Sequence, residues 1–352
     1  MRKIDWLFVA PIFLLLIFSF FILKSLNPSL FPSYYWYFGL GIVIFFIFSL
    51  FDFEVISAFS PFFYIISIVL LLITLVIGQV TRGTVRWIPI GSFSLQPSEI
   101  VRPFLLVFFA NFISQEKLSL KRIIQILLYM AFPLFLILVQ PSLGVTALTS
   151  IGFLGIFLAS EIDKKSILYI ICSVLVVAPI VFLMLQPYQK QRITAFLDPT
   201  SDPLGVGYNA IQSQISVGSG KLFGRGLGKG VGTQLAFLPE RHTDFIFASI
   251  AEEMGFVGAV VLLLITGFLL FRIISYTEYS MRFSTDGAIK IPARLFLGGL
   301  FLTLFAQTAI HVGMNMGLLP ITGVPYPLVS AGGSSLLATM TSLGIVMGTK
   351  RS

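Results

Sequence analysis

Apolar residues in this chain come in long blocks. They show neither the strict alternation of a half-buried strand nor the single stripe of a soluble amphipathic helix. About ten blocks reach or approach the ~20 residues that a helix needs to cross a bilayer. They cover 6–23, 34–51, 62–77, 99–113, 123–139, 143–159, 167–185, 256–275, 295–312 and 334–348. Polar residues are bunched in short connections, with one exception. The stretch 186–255 runs for roughly 70 residues, and connections of that length are uncommon and usually functional. The pattern predicts an all-α polytopic membrane protein: one membrane domain over 1–352, about ten transmembrane helices, and a large extracytoplasmic loop, 186–255, between the seventh and eighth.

Lysine and arginine set the orientation. With ten spans both termini share a side, and that side carries Arg2, Lys3, Lys117, Lys121, Arg122, Lys164, Lys165, Arg272, Arg282, Lys290, Arg294, Lys350 and Arg351. The opposite short loops carry only Lys24, Arg82 and Arg86. Positive charge marks the cytoplasmic face, so both termini are expected inside. The long loop lies outside despite its cations, because long loops are weakly bound by the charge rule. The first block is not expected to be a cleavable signal, since it is long and no small-residue cleavage site follows it.

Composition narrows the class further. Of 352 residues, 57% are hydrophobic and 11% charged, against about 25% charged in a soluble domain. A soluble enzyme, a disordered chain, a coiled coil and a disulfide scaffold are excluded. Cys172 is the single cysteine, and His242 and His311 are the only histidines. A zinc site is therefore not expected. The net charge of +8 is dispersed among loops, so it reads as membrane-surface anchoring with some weight on an anionic substrate, and nucleic acid is not an expected partner.

The candidate chemistry sits in the long loop. Glycines at 218, 220, 224, 226, 228, 230 and 232 are interleaved with Lys221, Arg225 and Lys229. Successive N–H groups in such a loop can form an anion-binding concavity, here a candidate cradle for phosphate or pyrophosphate. The alternative is a flexible loop whose cations touch lipid headgroups. The pattern is not a Walker A loop. Further on, Asp244 follows Pro239-Glu240-Arg241-His242-Thr243 and precedes Phe245-Ile246-Phe247. Desolvation by that apolar run should raise its pKa, which suits a general base. The competing reading is a helix cap by Thr243 or Asp244. Glu252 and Glu253 follow within the same stretch. His242 could shuttle protons or simply bond backbone, and His311 reads as a packed histidine. Trp87 fits an interfacial anchor beside Arg86, which could hold a phosphate. Glu99 and Arg102, one turn apart, read first as a buried ion pair.

Several ordered motifs carry a resemblance. They are Arg86-Trp87-Ile88, Gln96-Pro97-Ser98-Glu99, Gln140-Pro141-Ser142-Leu143-Gly144, Arg192 with Phe196-Leu197, and Asp202-Pro203-Leu204-Gly205-Val206-Gly207-Tyr208. Gln212-Ser213, the glycine loop, the segment from Leu238 to Ile246, Glu252-Glu253, and the run from Asn315 through Gly323-Val324-Pro325 to Gly332-Gly333-Ser334-Ser335 complete the set. In this order the chain resembles the SEDS family (shape, elongation, division and sporulation), and within it the RodA branch more than the FtsW branch. Four positions depart from the family pattern, two of them, Lys229 and Gly232, in the tail of the glycine loop, where Gln234 remains. Ser142 stands where an aspartate is usual, so a role tied to that acid is not carried over, and Ala331 stands where a tyrosine is usual.

The resemblance implies a peptidoglycan glycosyltransferase of the bacterial cytoplasmic (inner) membrane that polymerises lipid II in cell elongation and shape. It implies a class B penicillin-binding protein as the transpeptidase partner. Asp244 matches the family's catalytic aspartate. Arg86, Trp87, Arg192, Arg225 and Lys229 are the expected substrate-binding residues for an undecaprenyl-pyrophosphate-linked donor. The family also admits a divalent metal ion, Mg or Mn, although the sequence shows no dedicated cage. Two other classes suit the same hydropathy: a flippase for lipid-linked precursors, and a non-catalytic scaffold for the transpeptidase.

Overall fold

The structure, a computed structural model, describes residues 5–81, 84–90, 93–116, 118–160, 169, 179, 182–183, 185–198, 202–203, 205, 207–235, 237–282 and 291–350. The seventh expected block, 167–185, falls almost wholly outside them, and so does Cys172. In chain order the helices are α1 (Trp6–Leu26), α2 (Phe31–Leu50), α3 (Phe53–Ala58) and α4 (Ser60–Ile77). Three strands follow, β1 (Gln79–Thr81), β2 (Thr84–Ile90) and β3 (Phe93–Leu95). Then come α5 (Pro97–Ile100), α6 (Arg102–Ser114), α7 (Leu120–Val139), α8 (Leu143–Ala159), α9 (Pro187–Leu197), α10 (Tyr208–Ser219) and α11 (Val231–Gln234). The chain closes with α12 (Ile246–Arg282), α13 (Ile291–Asn315) and α14 (Gly333–Thr349).

Among the described residues, 7 helices are long and apolar enough to cross a membrane, and the shorter apolar helix Leu143–Ala159 joins them. Their outward faces are apolar. Val76 on α4 is 84% exposed, and Leu128 on α7 and Leu264 on α12 are also open. Exposed apolar surface on this scale is stable only against lipid. The protein is a polytopic helical membrane protein.

Three departures from the hydropathy pattern have local causes. The segment after α4 folds into a small antiparallel sheet in the order β1-β2-β3, where Thr84, Val85, Trp87 and Ile88 supply β-branched and aromatic residues. The block at 99–113 is two helical pieces, because Pro103 sits at the start of the second and restricts the residue before it. The stretch 186–255 is not structureless. It carries α9, α10 and α11, and α12 starts at Ile246, well before the expected 256. Glu252 and Glu253 conceal this start in the sequence, because adjacent acids in an apolar run read as loop.

The chain divides into two compact units, and α2, α12, α13 and α14 are each cut by the division. The second unit comprises Ile44–Pro187, Ile273–Thr303 and Thr341–Ser352. Its core packs α4 against α6 and α7, and α8 against α6 and α7. Tyr64 stacks on Phe108 at 4.4 Å, Phe108 on Phe112 at 5.4 Å, and the Arg122 guanidinium lies 3.9 Å over the Phe112 ring. Ser119 caps α7 by accepting from the Arg122 N–H.

Buried in this unit, Arg102 Nη2 donates to Glu99 Oε2 at 2.9 Å, with side chains 5% and 4% exposed. This is the structural ion pair that the spacing suggested. Removing one partner of a buried pair leaves an uncompensated charge, which costs about 3–5 kcal/mol. Glu99→Leu alone is therefore expected to lower the denaturant midpoint of the purified protein sharply. Adding Arg102→Met should recover most of that loss. Equal losses in the single and double variants would show that pairing is not what the site requires.

Candidate functional site

The first unit comprises Met1–Val43, Tyr188–Arg272 and Leu304–Met340, and it contains Asp244 and most of the cationic candidates. Asp244 lies on the turn 239–244, immediately before α12. Leu238 and Phe245 bracket this turn and are buried together with Ala248, against Val217 and Ile321. The apolar residues on either side of the polar run thus anchor both its ends. Inside it, Glu240 adopts φ of 54°, a left-handed conformation uncommon for a residue with a side chain. Thr243 and Phe245 hold it: their N–H groups donate to its carbonyl at 3.0 and 3.2 Å, and Thr243 Oγ1 lies 2.9 Å from its carboxylate and 3.2 Å from its carbonyl.

The last residue of α13 and the segment that follows it clasp the turn from the other side. Asn315 Nδ2 donates to the Asp244 carbonyl at 3.0 Å, and Asn315 Oδ1 accepts from the Ala248 N–H at 3.0 Å. Ser330 Oγ donates to the Thr243 carbonyl at 2.7 Å, and the Ala331 N–H donates to the His242 carbonyl at 2.8 Å. Ala248 N–H belongs to the first turn of α12, one of the donors a helix cap must satisfy. An asparagine distant in sequence supplies that acceptor. His311, one turn before Asn315, is fully buried with Nδ1 2.7 Å from the Val324 carbonyl, and its ring meets Tyr326 edge-on. It is the packed histidine expected from the sequence. The Tyr326 hydroxyl pairs with Thr266 Oγ1 at 2.8 Å. Burial pushes its phenol above the ordinary range, so it is a neutral hydroxyl.

Gly323 brings the charged groups together. A methyl group built at this glycine would stand 3.5 Å from Asp244 Oδ2 and 3.6 Å from Arg192 Nη1. Carboxylate and guanidinium therefore flank one open face. Arg192 projects from α9, is exposed, and donates from Nη1 to the Ile321 carbonyl at 3.3 Å. Beside it is a notch of about 30 Å³ lined by Ala195, Phe196, Gln214, Met314 and Ile321. That volume holds about one water.

The glycine loop is a cradle, but its backbone holds the chain's own anions. The Gly232 and Thr233 N–H groups donate to the Glu252 carboxylate at 2.8 and 3.0 Å, and the Gly228 N–H donates to Glu253 Oε2 at 3.1 Å. Thr233 Oγ1, Gln234 Nε2 and Ser25 Oγ also donate to Glu253, at 3.2, 2.9 and 2.9 Å. Lys221, Arg225 and Lys229 remain outside this network with exposed side chains. Arg86 and Trp87 lie on β2, in the second unit, and both are half-buried. Among the described residues no three His, Cys, Asp or Glu side chains converge on a common point.

The sequence profile of the FtsW/RodA/SpoVE cell cycle proteins matches residues 6–352. The chain belongs to that family. It is 39% identical over 312 residues to the peptidoglycan glycosyltransferase MrdB of Escherichia coli K12, covering 88% of this chain and 82% of that protein. It is 35% identical over 318 residues to the probable peptidoglycan glycosyltransferase FtsW of Buchnera aphidicola, covering 87% and 80%. Among solved structures it resembles a chain of a peptidoglycan synthase complex that coordinates polymerization and crosslinking, with a TM-score of 0.84, 28% identity, and 100% and 98% of the two chains covered. It also resembles the rod shape determining protein RodA of Thermus thermophilus, with a TM-score of 0.72, 26% identity, and 99% and 96% covered.

Reading the residues for function overlooked Asn315 and Ser330 as the clasp of the Asp244 turn. The available signal was an asparagine ending an apolar block, where a polar side chain needs partners. Asn315→Ala removes the acceptor of one buried donor and the donor to the Asp244 carbonyl. Each buried group left unsatisfied costs about 1–3 kcal/mol. The variant is expected to be less stable and to exchange the Ala248 amide proton faster. An unchanged exchange rate at Ala248 would reject the clasp.

Proposed function

We propose that the chain is a peptidoglycan glycosyltransferase that polymerises lipid II, with Asp244 as general base. The observation that carries this reading is the Asp244 carboxylate facing the Arg192 guanidinium across Gly323, on a turn clasped by Asn315 and Ser330. The activity itself follows the relatives, named as peptidoglycan glycosyltransferases.

The reaction is one inverting displacement. The GlcNAc 4-hydroxyl oxygen of lipid II forms a bond to the anomeric carbon of the lipid-linked glycan. Its proton passes to the Asp244 carboxylate as that bond forms. The bond from the anomeric carbon to the pyrophosphate oxygen breaks through an oxocarbenium-like transition state. The departing undecaprenyl pyrophosphate carries the developing negative charge, which Arg192 stabilises at the face it shares with Asp244. Arg225 and Lys229, exposed on the glycine loop, and Arg86 with Trp87 on β2 are assigned to holding the lipid-linked substrates. The cation distribution puts both termini in the cytoplasm and Asp244, with the rest of 186–255, on the outer face. The partner is a class B penicillin-binding protein, in keeping with a structural relative that couples polymerization to crosslinking. A flippase would need a free cation within the bilayer, and the buried candidate, Arg102, is paired with Glu99.

Asp244→Asn keeps the shape of the side chain and removes the base. With purified protein, partner transpeptidase and lipid II, polymerisation is expected to fall about 10²–10⁴-fold, and retention of the wild-type rate would reject the assignment. Arg192→Ala is expected to slow the same assay with the fold intact, because its side chain is exposed. Unchanged kinetics would remove Arg192 from the leaving-group site.

A further inference from the structure

The glycine loop ends in an unusual tip. Phe223 is 80% exposed, Leu222 61% and Leu227 52%, and Lys221 and Arg225 flank the first two. Large apolar side chains at the apex of a basic loop are costly in water. The tip is not a loose excursion. The Arg225 and Gly226 N–H groups donate to the Glu252 and Glu253 carbonyls at 3.0 and 2.9 Å. The Phe256 and Val257 N–H groups donate to the Lys221 and Leu222 carbonyls at 2.8 and 3.1 Å. This clamp uses the kink of α12 at Gly255, whose φ is 68°. A side chain there would collide with the backbone of Leu222 and Gly224.

The kink also marks where lipid begins. Residues 246–253 of α12 are buried on every side. Beyond it an exposed apolar stripe opens through Phe256, Val257, Val261, Leu264, Phe268 and Phe271. This is the lipid-facing surface of a span, and the tip is hydrogen-bonded to its first two residues. Leu222 and Phe223 therefore extend the lipid-facing stripe at its polar end, where cations and aromatic rings meet headgroups. An open concavity of about 470 Å³, lined by Ser219, Lys221, Phe223 and Arg225 among others, lies at the tip.

We propose that residues 221–225 form a membrane-surface wedge, in which Leu222 and Phe223 enter the bilayer edge and Lys221 takes the phosphates of anionic phospholipids. The wedge fixes the height of the glycine loop relative to the lipid surface. It does not depend on the role of Asp244.

The test uses the full chain with Phe223→Cys in a Cys172→Ser background, labelled with an environment-sensitive fluorophore. The protein is placed in phosphatidylglycerol nanodiscs that contain no polyprenyl lipid. A spin label high on the acyl chain is expected to lower emission by about twofold or more, as for a side chain buried just below the headgroups, while aqueous iodide quenches weakly. Phosphatidylcholine discs should weaken the lipid quenching, and Lys221→Gln should reduce the difference between the two lipids. Free access of iodide without lipid quenching would overturn the wedge. Protection from iodide without lipid quenching would also overturn it, since the tip would then lie against protein. Leu222→Cys provides the same readout if the Phe223 variant does not fold.

Discussion

Two adjacent carboxyl groups hold the region around Asp244 together. Glu252 and Glu253 are 2% and 1% exposed, and carboxyl groups so deeply buried are tolerated only when their oxygens are engaged in hydrogen bonds. The engagement comes from backbone N–H groups of the glycine loop and from Ser25, Thr233 and Gln234. Three separate stretches are thereby tied to α12: the end of α1, the glycine loop, and α11. Asp244 stands just before that helix, so the element that positions the proposed base also positions the cations on the loop. Preorganised groups cost no reorganisation at the moment of reaction, and here the preorganisation is bought with buried acids.

The same contact explains what the sequence could and could not reveal. The transmembrane blocks were legible because length and hydropathy are local properties, and the nine expected runs that the structure describes from end to end all have helical counterparts. Asp244 stood out by its resemblance to a family motif, while its physical setting alone favoured a helix cap over a base. The glycine loop was legible as an anion cradle. Its anion was not, because the hydrogen bond between Gly232 and Glu252 joins residues 20 apart in the sequence. Asn315 was illegible for the same reason: its partners, Asp244 and Ala248, lie far away along the chain.

The departure at Ser142 can be judged on similar grounds. Ser142 is buried, and Gln96 Nε2 donates to its hydroxyl at 3.1 Å and to the Ser98 hydroxyl at 3.2 Å. Gln140, two residues earlier, donates to the Leu71 carbonyl at 3.0 Å. An aspartate at this position would bring a charge into a neutral network and would need a further donor or a cation to offset its desolvation. The serine keeps the acceptor for Gln96 without that charge. The substitution is thus compatible with its surroundings as they stand, and it lies in a different unit from Asp244. The chemistry proposed for Asp244 and Arg192 uses neither Ser142 nor Gln96, so the loss of that acid removes no group from the displacement.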